Sequence, residues 1–361
     1  MAVLTVNGVT YTVTENISLM SFLRDTLRLT SVKNGCNEGA CGTCTVLIDG
    51  KAVKACVQKT DKLDGKSILT TEGLSDKERA IYVYAFSKAG AVQCGFCIPG
   101  MVICAKALLD RNPNPTRDDV KSAIKNNLCR CTGYKKIEEA ILLAAEMFRN
   151  GAVPERPVDT GILGESTVRV DAEAKITGTA MYADDYYMEN MLYGSALRSE
   201  YPRAKILSID TSEAEKINGV ACVMTAKDIP GAQKVGHLKR DWDVLIPVGK
   251  TTHYLGDAIV IIAAETPEIL ETAKKAVKVQ YKPLQAVFSP EEAMAENAPS
   301  VHEDGNLLAY EHLVRGNADD IISKSKHKVT YHYSVPFTEH AFMEPECAVA
   351  FPEYDGIHII S

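Results

Sequence analysis

Eight of the eleven cysteines fall into two sets of four, and no other feature restricts the fold of this chain as strongly. The first set is Cys36, Cys41, Cys44 and Cys56, spaced C-x4-C-x2-C with a fourth cysteine twelve positions on. The second is Cys94, Cys97, Cys129 and Cys131, a C-x2-C pair and a C-x-C pair separated by a long interval. In a reducing compartment, thiols clustered in this way read as metal ligands rather than disulfides. The opening MAVLTVNGVTYTV alternates like a strand and has neither the charged start nor the apolar stretch of a secretion signal. The expected location is therefore the cytoplasm.

Three cysteines within nine residues must wrap around a compact group. Their order, with the fourth farther on, matches plant-type [2Fe–2S] ligation, in which four thiolates hold two irons. Gly35, Gly39 and Gly42 are expected to supply positive φ angles and so turn backbone N–H groups toward the sulfurs. A zinc loop is the plainer alternative, but zinc favours two C-x2–4-C halves, and this layout is three plus one. The second set leaves more open. Its two pairs could hold one tetrahedral zinc, although the single-residue gap in Cys129-Arg130-Cys131 is tight for that geometry. A second iron–sulfur site beside the first would instead form an electron relay. Cys104, Cys222 and Cys347 stand alone and read as small buried apolar residues. His340 and Glu344 are four apart and read as structural or substrate-domain residues. No phosphate-binding or dinucleotide glycine motif and no H-E-x-x-H spacing occurs.

At 361 residues, 46% of them apolar, the chain should form two to four domains with ordinary cores. Its net charge of −7 gives no reason to expect nucleic acid or an anionic membrane as partner. The longest purely apolar run, Ala258 to Ala264, is far short of the ~20 residues that span a bilayer. Residues 1–73 read as a small β-rich domain: a hairpin at Asn7-Gly8, a helix capped by Ser18, the cysteine loop, and a second hairpin at Asp49-Gly50 spanning Thr45 to Ile48 and Ala52 to Cys56. That set of elements suggests a β-grasp ferredoxin arrangement. Residues 74–150 switch to helical period, with Ser75 and Thr116 as caps and Pro99 opening a helix, and predict a four-helix bundle. The Pro/Gly-punctuated stretch 151–164 reads as a linker. Beyond it, strands are expected at Leu192–Leu197, Ile206–Ile209, Val220–Met224, Ala258–Ala264 and Ala276–Tyr281, with helices near 211–217 and 267–275.

The segments GCNEGACGTC (35–44), QCGFCIPGM (93–101) and NLCRCTGY (127–134) together resemble the molybdenum hydroxylases, the xanthine dehydrogenases and aldehyde oxidases. RVDAEAKITGTAMYADD (169–185), LRSEYPRAKILSIDTS (197–212) and EHAFMEPECAVAF (339–351) are similar to the start of that family's molybdopterin-binding part. The resemblance implies a multidomain α+β chain: a ferredoxin-like [2Fe–2S] domain, a helical [2Fe–2S] domain, an α/β hammerhead domain at about 165–290, and at about 320–361 the start of the molybdopterin-binding region. It implies two [2Fe–2S] clusters, molybdopterin in the full-length protein, and no FAD domain, as in flavin-free bacterial aldehyde oxidoreductases. Gln93 and Cys131 match positions that hydrogen-bond the pterin in relatives. The implied reaction hydroxylates a purine, another N-heterocycle or an aldehyde with oxygen from water. Electrons would then pass to a separate flavoprotein or another acceptor, and a homodimer is compatible with the family. The family's catalytic glutamate lies beyond residue 361, so the chain reads as the front part of a longer enzyme with no catalytic residue of its own. An electron-transfer module without catalysis is the other reading.

Overall fold

A computed structural model of the protein describes residues 1–151, 161–164 and 167–361, so most of the expected linker lies outside the described residues. Strands β1 (Ala2–Val6) and β2 (Val9–Val13) pair antiparallel. Their turn places Asn7 at φ 50° and Gly8 at φ 85°, the two positive angles that a tight hairpin of this hand requires. Ser18 caps the next turn as expected, its hydroxyl accepting from the Ser21 N–H at 3.0 Å. The helix is not a regular one, however: α1 (Leu19–Ser21) widens at once into a π turn over Phe22–Thr26. That wider turn buries Leu19, Met20, Phe22 and Leu23 together against Leu4, Val6, Val46 and Ile68 of the sheet. Strands β3 (Thr45–Ile48) and β4 (Lys51–Lys54) form the second hairpin. Cys56 falls beyond β4, on a 3-10 turn over Ala55–Val57, rather than within the strand. A further strand, β5 (Ser67–Leu69), pairs parallel to β1 and antiparallel to β3, giving the order β2-β1-β5-β3-β4. Three residues are too few to show a period, so β5 is invisible in the sequence.

The helical part follows its caps closely. Helix α2 (Asp76–Lys88) opens on the Ser75/Glu78 capping box, and α3 (Ile98–Leu109) begins one residue before Pro99. The Thr116/Asp119 box opens α4 (Arg117–Ile124), while α5 (Lys135–Asn150) ends at Gly151 with φ 69°. A fifth piece, α6 (Ala172–Thr177), adds Ala172 and Ile176 to the core formed by Ile81, Tyr82, Phe86, Ile98, Met101, Ile137 and Ile141. Each large apolar side chain of that core contributes roughly 1.5–3 kcal/mol. Leu47 of β3 packs on Ile103 and Ala107 of α3, which joins sheet and bundle. Residues Met1–Tyr186 therefore form one compact unit, together with Ser334–Ser361.

The second unit is Tyr187–Tyr333. Its strands and helices in chain order are β6 (Tyr193–Arg198), β7 (Ala204–Asp210), α7 (Ser212–Glu215), β8 (Val220–Met224), β9 (Lys234–Val235), β10 (Trp242–Asp243), β11 (Ala258–Ala264), α8 (Pro267–Ala276) and β12 (Lys278–Pro283). Strand β11 lies between β6 and β8 in an antiparallel sheet, and β7 pairs with β12. The amphipathic α8 sets Leu270 and Ala273 against Ile259, Val260 and Ile262, which explains the apolar run of β11. Because α8 continues through Ala276, β12 starts two residues later than the sequence predicts. Two short helices follow, α9 (Pro290–Ala293) and α10 (Ala318–Lys324). Near the end of the chain, β13 (Val349–Glu353) and β14 (Gly356–Ile360) pair antiparallel and belong to the first unit. Among the described residues, no helix is long and apolar enough to cross a membrane.

Candidate functional site

All eight cysteines of the two sets lie in the first unit: Cys36, Cys41 and Cys44 on one loop, Cys56 on the turn after β4, and the other four on two segments at helix ends. The first loop joins the π turn to β3. Asn37, Gly39 and Gly42 take φ angles of 54°, 79° and 77°, and Lys54 closes the loop by donating to the carbonyls of Gly39 at 2.6 Å and Ala40 at 3.0 Å. Gly35, expected to share the left-handed conformation, does not adopt it. Glycine is needed there for space, since a Cβ would stand 2.9 Å from both Cys41 Sγ and Thr43 Oγ1. Cys36 Sγ accepts from the Ala40 and Cys41 N–H groups, each at 3.3 Å, and Cys44 and Cys56 are both buried. Burial opposes ionisation of Cys36, but the N–H groups of Cys41, Glu38 and Ala40 outweigh it and bring its pKa down to about 7. At Cys44 burial wins, and the thiol is pushed up to about 12.

The second loop set is built from the segment before α3 and the segment between α4 and α5. Gly95 at φ 88° and Gly133 at φ 63° bend the two segments, and Tyr134 takes an uncommon positive φ of 68° where α5 begins. Here Cys94 neighbours Cys131, and Cys97 neighbours Cys129. At Cys129 the interaction with Cys97, helped by Thr132, overcomes burial and brings the pKa down to about 5. The same contact, reinforced by burial, raises Cys97 well above the ordinary thiol range. Burial lifts Cys94 to about 11, against N–H groups of Phe96 and Glu344. Among the described residues, no three His, Cys, Asp or Glu side chains gather as ligands of a single ion.

The two loops touch. A Cβ on Gly42 would run into the Asn126 carbonyl, and one on Gly100 would stand 2.7 Å from the Gly42 carbonyl. The Leu128 N–H donates to the Cys41 carbonyl at 2.8 Å. Buried Asn127 donates to the Gly42 carbonyl at 2.9 Å and accepts from the Cys104 thiol at 3.1 Å. Cys104 is thus buried as expected, with its pKa raised to about 11 by that burial. Cys222 and Cys347, expected to be buried, are exposed. The apolar character of a lone cysteine does not say which face of its segment is covered.

Gln93 and Cys131 meet at the open edge of the second loop set, where Gln93 Nε2 donates to the Cys131 carbonyl at 2.9 Å. His340 and Glu344 lie on an extended segment rather than a helix. Arg130 donates to the carbonyls of His340 at 2.9 Å and Glu339 at 3.0 Å, which ties this segment beside the cysteine loop. The sequence reading missed Arg24, Lys33, Tyr182, Asp185 and Asn127, all of them buried between or beneath the loops. Isolated charged residues such as Lys33 ordinarily lie on the surface, so no local signal could have found them.

Three family models match the chain. They are a 2Fe-2S iron-sulfur cluster binding domain over residues 8–83, a [2Fe-2S] binding domain over 70–142, and an aldehyde oxidase and xanthine dehydrogenase a/b hammerhead domain over 177–285. The chain is 35% identical to the aldehyde oxidoreductase of Megalodesulfovibrio gigas over 98% of its own length, and covers 42% of that protein. It is 47% identical to the nicotinate dehydrogenase small FeS subunit of Eubacterium barkeri, covering 87% of that subunit with 37% of itself. Among solved structures, the aldehyde oxidoreductase from Desulfovibrio gigas matches with a TM-score of 0.88 at 33% identity, over 99% of this chain and 42% of that one. The chain thus spans less than half the length of the aldehyde oxidoreductases it matches.

Proposed function

The chain belongs to the molybdenum hydroxylase family of xanthine dehydrogenases and aldehyde oxidases, and we propose that it is the iron–sulfur and forward substrate-domain part of such an enzyme. In this reading Cys36, Cys41, Cys44 and Cys56 hold one [2Fe–2S] cluster, and Cys94, Cys97, Cys129 and Cys131 hold the other. The observation that carries it is that each set of four thiols gathers on loops in direct contact, with the Ala40 and Cys41 N–H groups turned onto Cys36 Sγ at 3.3 Å and the Leu128 N–H onto the Cys41 carbonyl at 2.8 Å. A two-iron cluster asks for two thiolates on each iron, whereas one zinc asks for four donors around a single point. The donor chemistry also fits: metal capture needs thiolates, and N–H and thiol donors already stabilise that form at Cys36 and Cys129.

The clusters supply one-electron transfer, and molybdopterin in the full-length protein supplies the oxidation of substrate. This chain's residues position those groups and shield them. Gln93 and Cys131 contact the pterin from the side of the second cluster, a reading supported by the exposure of Gln93 and its hydrogen bond to the Cys131 carbonyl. Asn127 and the Leu128 N–H hold the two cluster loops in direct contact, which keeps the electron path between them short. The substrate of the whole protein is an N-heterocycle or an aldehyde. The electron acceptor is a separate flavoprotein or similar partner, and the protein works in the cytoplasm. We assign residues 1–73 and 74–150 to the two cluster domains, 151–164 to the linker, 165–290 to the hammerhead and 320–361 to the start of the molybdopterin-binding region.

Metal analysis with EPR on chain purified without oxygen and reduced with dithionite tests the assignment. About four irons per chain and two distinguishable [2Fe–2S] signals are expected. Two irons with one zinc would make the second site structural and break the path to the pterin.

A further inference from the structure

Lys33 lies three residues before the first cluster cysteine and is almost wholly buried. Its Nζ is 2.6 Å from Asp185 Oδ2 and 3.4 Å from the Ala180 carbonyl, and it sits 4.5 Å from the centre of the Tyr182 ring and 5.8 Å from that of Phe96. Every one of these neighbours is an acceptor or a π face and favours the ammonium, against burial and the Arg24 charge, which lower the lysine's pKa. The other Asp185 oxygen takes Arg24 at 2.9 Å. Arg24, Lys33 and Asp185 are all buried and together carry one net positive charge, while Asp184, which faces Arg24 at 3.5 Å, has a third of its side chain in solvent.

This charge stands between the two cysteine loops. The Lys33 carbonyl accepts from Thr43 Oγ1 at 3.0 Å, and that hydroxyl is 3.2 Å from Cys41 Sγ. On the opposite side, Phe96 is the buried residue between Cys94 and Cys97 and packs edge-on against Tyr182 at 5.3 Å. The Tyr182 hydroxyl donates to the Cys94 carbonyl at 2.8 Å. The ammonium thus lies against the aromatic wall of the second loop while its main chain braces the first. Buried ion pairs are often no more stable than apolar side chains of the same volume, so stability alone does not account for a fully buried lysine here.

We propose that Lys33 tunes the electron relay, its buried ammonium raising the reduction potential of the cluster held by Cys94, Cys97, Cys129 and Cys131. Reduction adds one electron to the cluster and no proton from Lys33, so negative charge grows beside a fixed cation in a medium that screens poorly. Asp185 holds the ammonium in place and offsets part of its field. Lys33 is a positioning and field-setting residue and touches no reacting atom. The inference rests on the two-cluster reading of the preceding section.

The test is an EPR-monitored redox titration of the cluster-loaded chain, comparing wild type with Lys33→Met and Asp185→Asn. Lys33→Met should lower the midpoint potential of the second cluster, and Asp185→Asn should raise it. Shifts of opposite sign are the signature, since a purely structural role would disturb both variants in the same direction. Unchanged midpoints in variants that keep their clusters would overturn the proposal, whatever happens to their melting temperatures. Should Lys33→Met fail to fold, the near-isosteric Asp185→Asn carries the test alone, and the absence of an upward shift overturns the idea. Wild-type chain without a second [2Fe–2S] signal would instead defeat the two-cluster reading.

Discussion

Single atoms decide whether a cysteine in this chain is ready to bind metal. Cys36 and Cys129 face N–H or thiol donors and are shifted toward the thiolate, while Cys44 and Cys97 are buried and shifted toward the thiol. Each set therefore combines a cysteine that ionises readily with partners that ionise as metal arrives. Changing Cys44 to Ser should remove the first cluster and spare the second, so that iron content falls by about half and one EPR signal survives. Equal loss of both signals would undo the separation of the two sites. Gly42 offers a test that needs no metal. Its φ of 77° and its contact with the Asn126 carbonyl both exclude a side chain, so Gly42→Ala should cost about 1–3 kcal/mol and lower the melting temperature by several degrees. An unaltered melt would mean that the loops do not meet at this point.

At the scale of elements, most caps were legible because they act within four residues. Ser75 with Glu78 and Thr116 with Asp119 form capping boxes, and Gly151 stops α5 in the left-handed conformation. Local chemistry of this kind survives any tertiary arrangement. The π turn after Ser18 and strand β5 were not legible, since packing against the sheet decides the first and pairing with β1 and β3 creates the second. Glu78 also reaches across to α3, where Lys106 Nζ lies 2.8 Å from its carboxylate. Partial burial works against the charged form, yet Lys106 and Ser75 hold the Glu78 pKa below the usual carboxylate range. A group depressed in the folded state adds stability that is complete above its unfolded pKa of ~4.3 and fades as pH falls below it. Glu78→Gln should therefore destabilise the protein by about 1 kcal/mol near neutrality and make little difference in strong acid. Denaturant melts of both proteins across pH 3 to pH 7 measure the gap, and a gap that stays constant over that range would rule out the ionised Glu78 as its source.

For the whole molecule, the first unit carries both cysteine sets, whereas the second, Tyr187–Tyr333, contributes none of these eight cysteines. Stripping iron with a chelator should lower the melting transition of the first unit and leave that of the second in place, because bound metal stabilises only the part that holds it. Differential scanning calorimetry before and after chelation separates the two, and a common shift of both transitions would contradict the division. From the sequence alone came the metal chemistry, through cysteine spacing, and the order of the helices and most strands, through period and caps. Those signals live in short stretches of chain, where ligand bite, turn angle and capping are set by neighbouring residues. Only the tertiary structure decided that the two cysteine loops touch through Gly42, Gly100 and Asn127, and that residues 167–186 and 334–361 pack with the cluster-bearing part. It alone placed Lys33 against Asp185, a residue 152 positions away. A buried charge is intelligible only through its partner, and no period or spacing in a sequence announces a partner so distant.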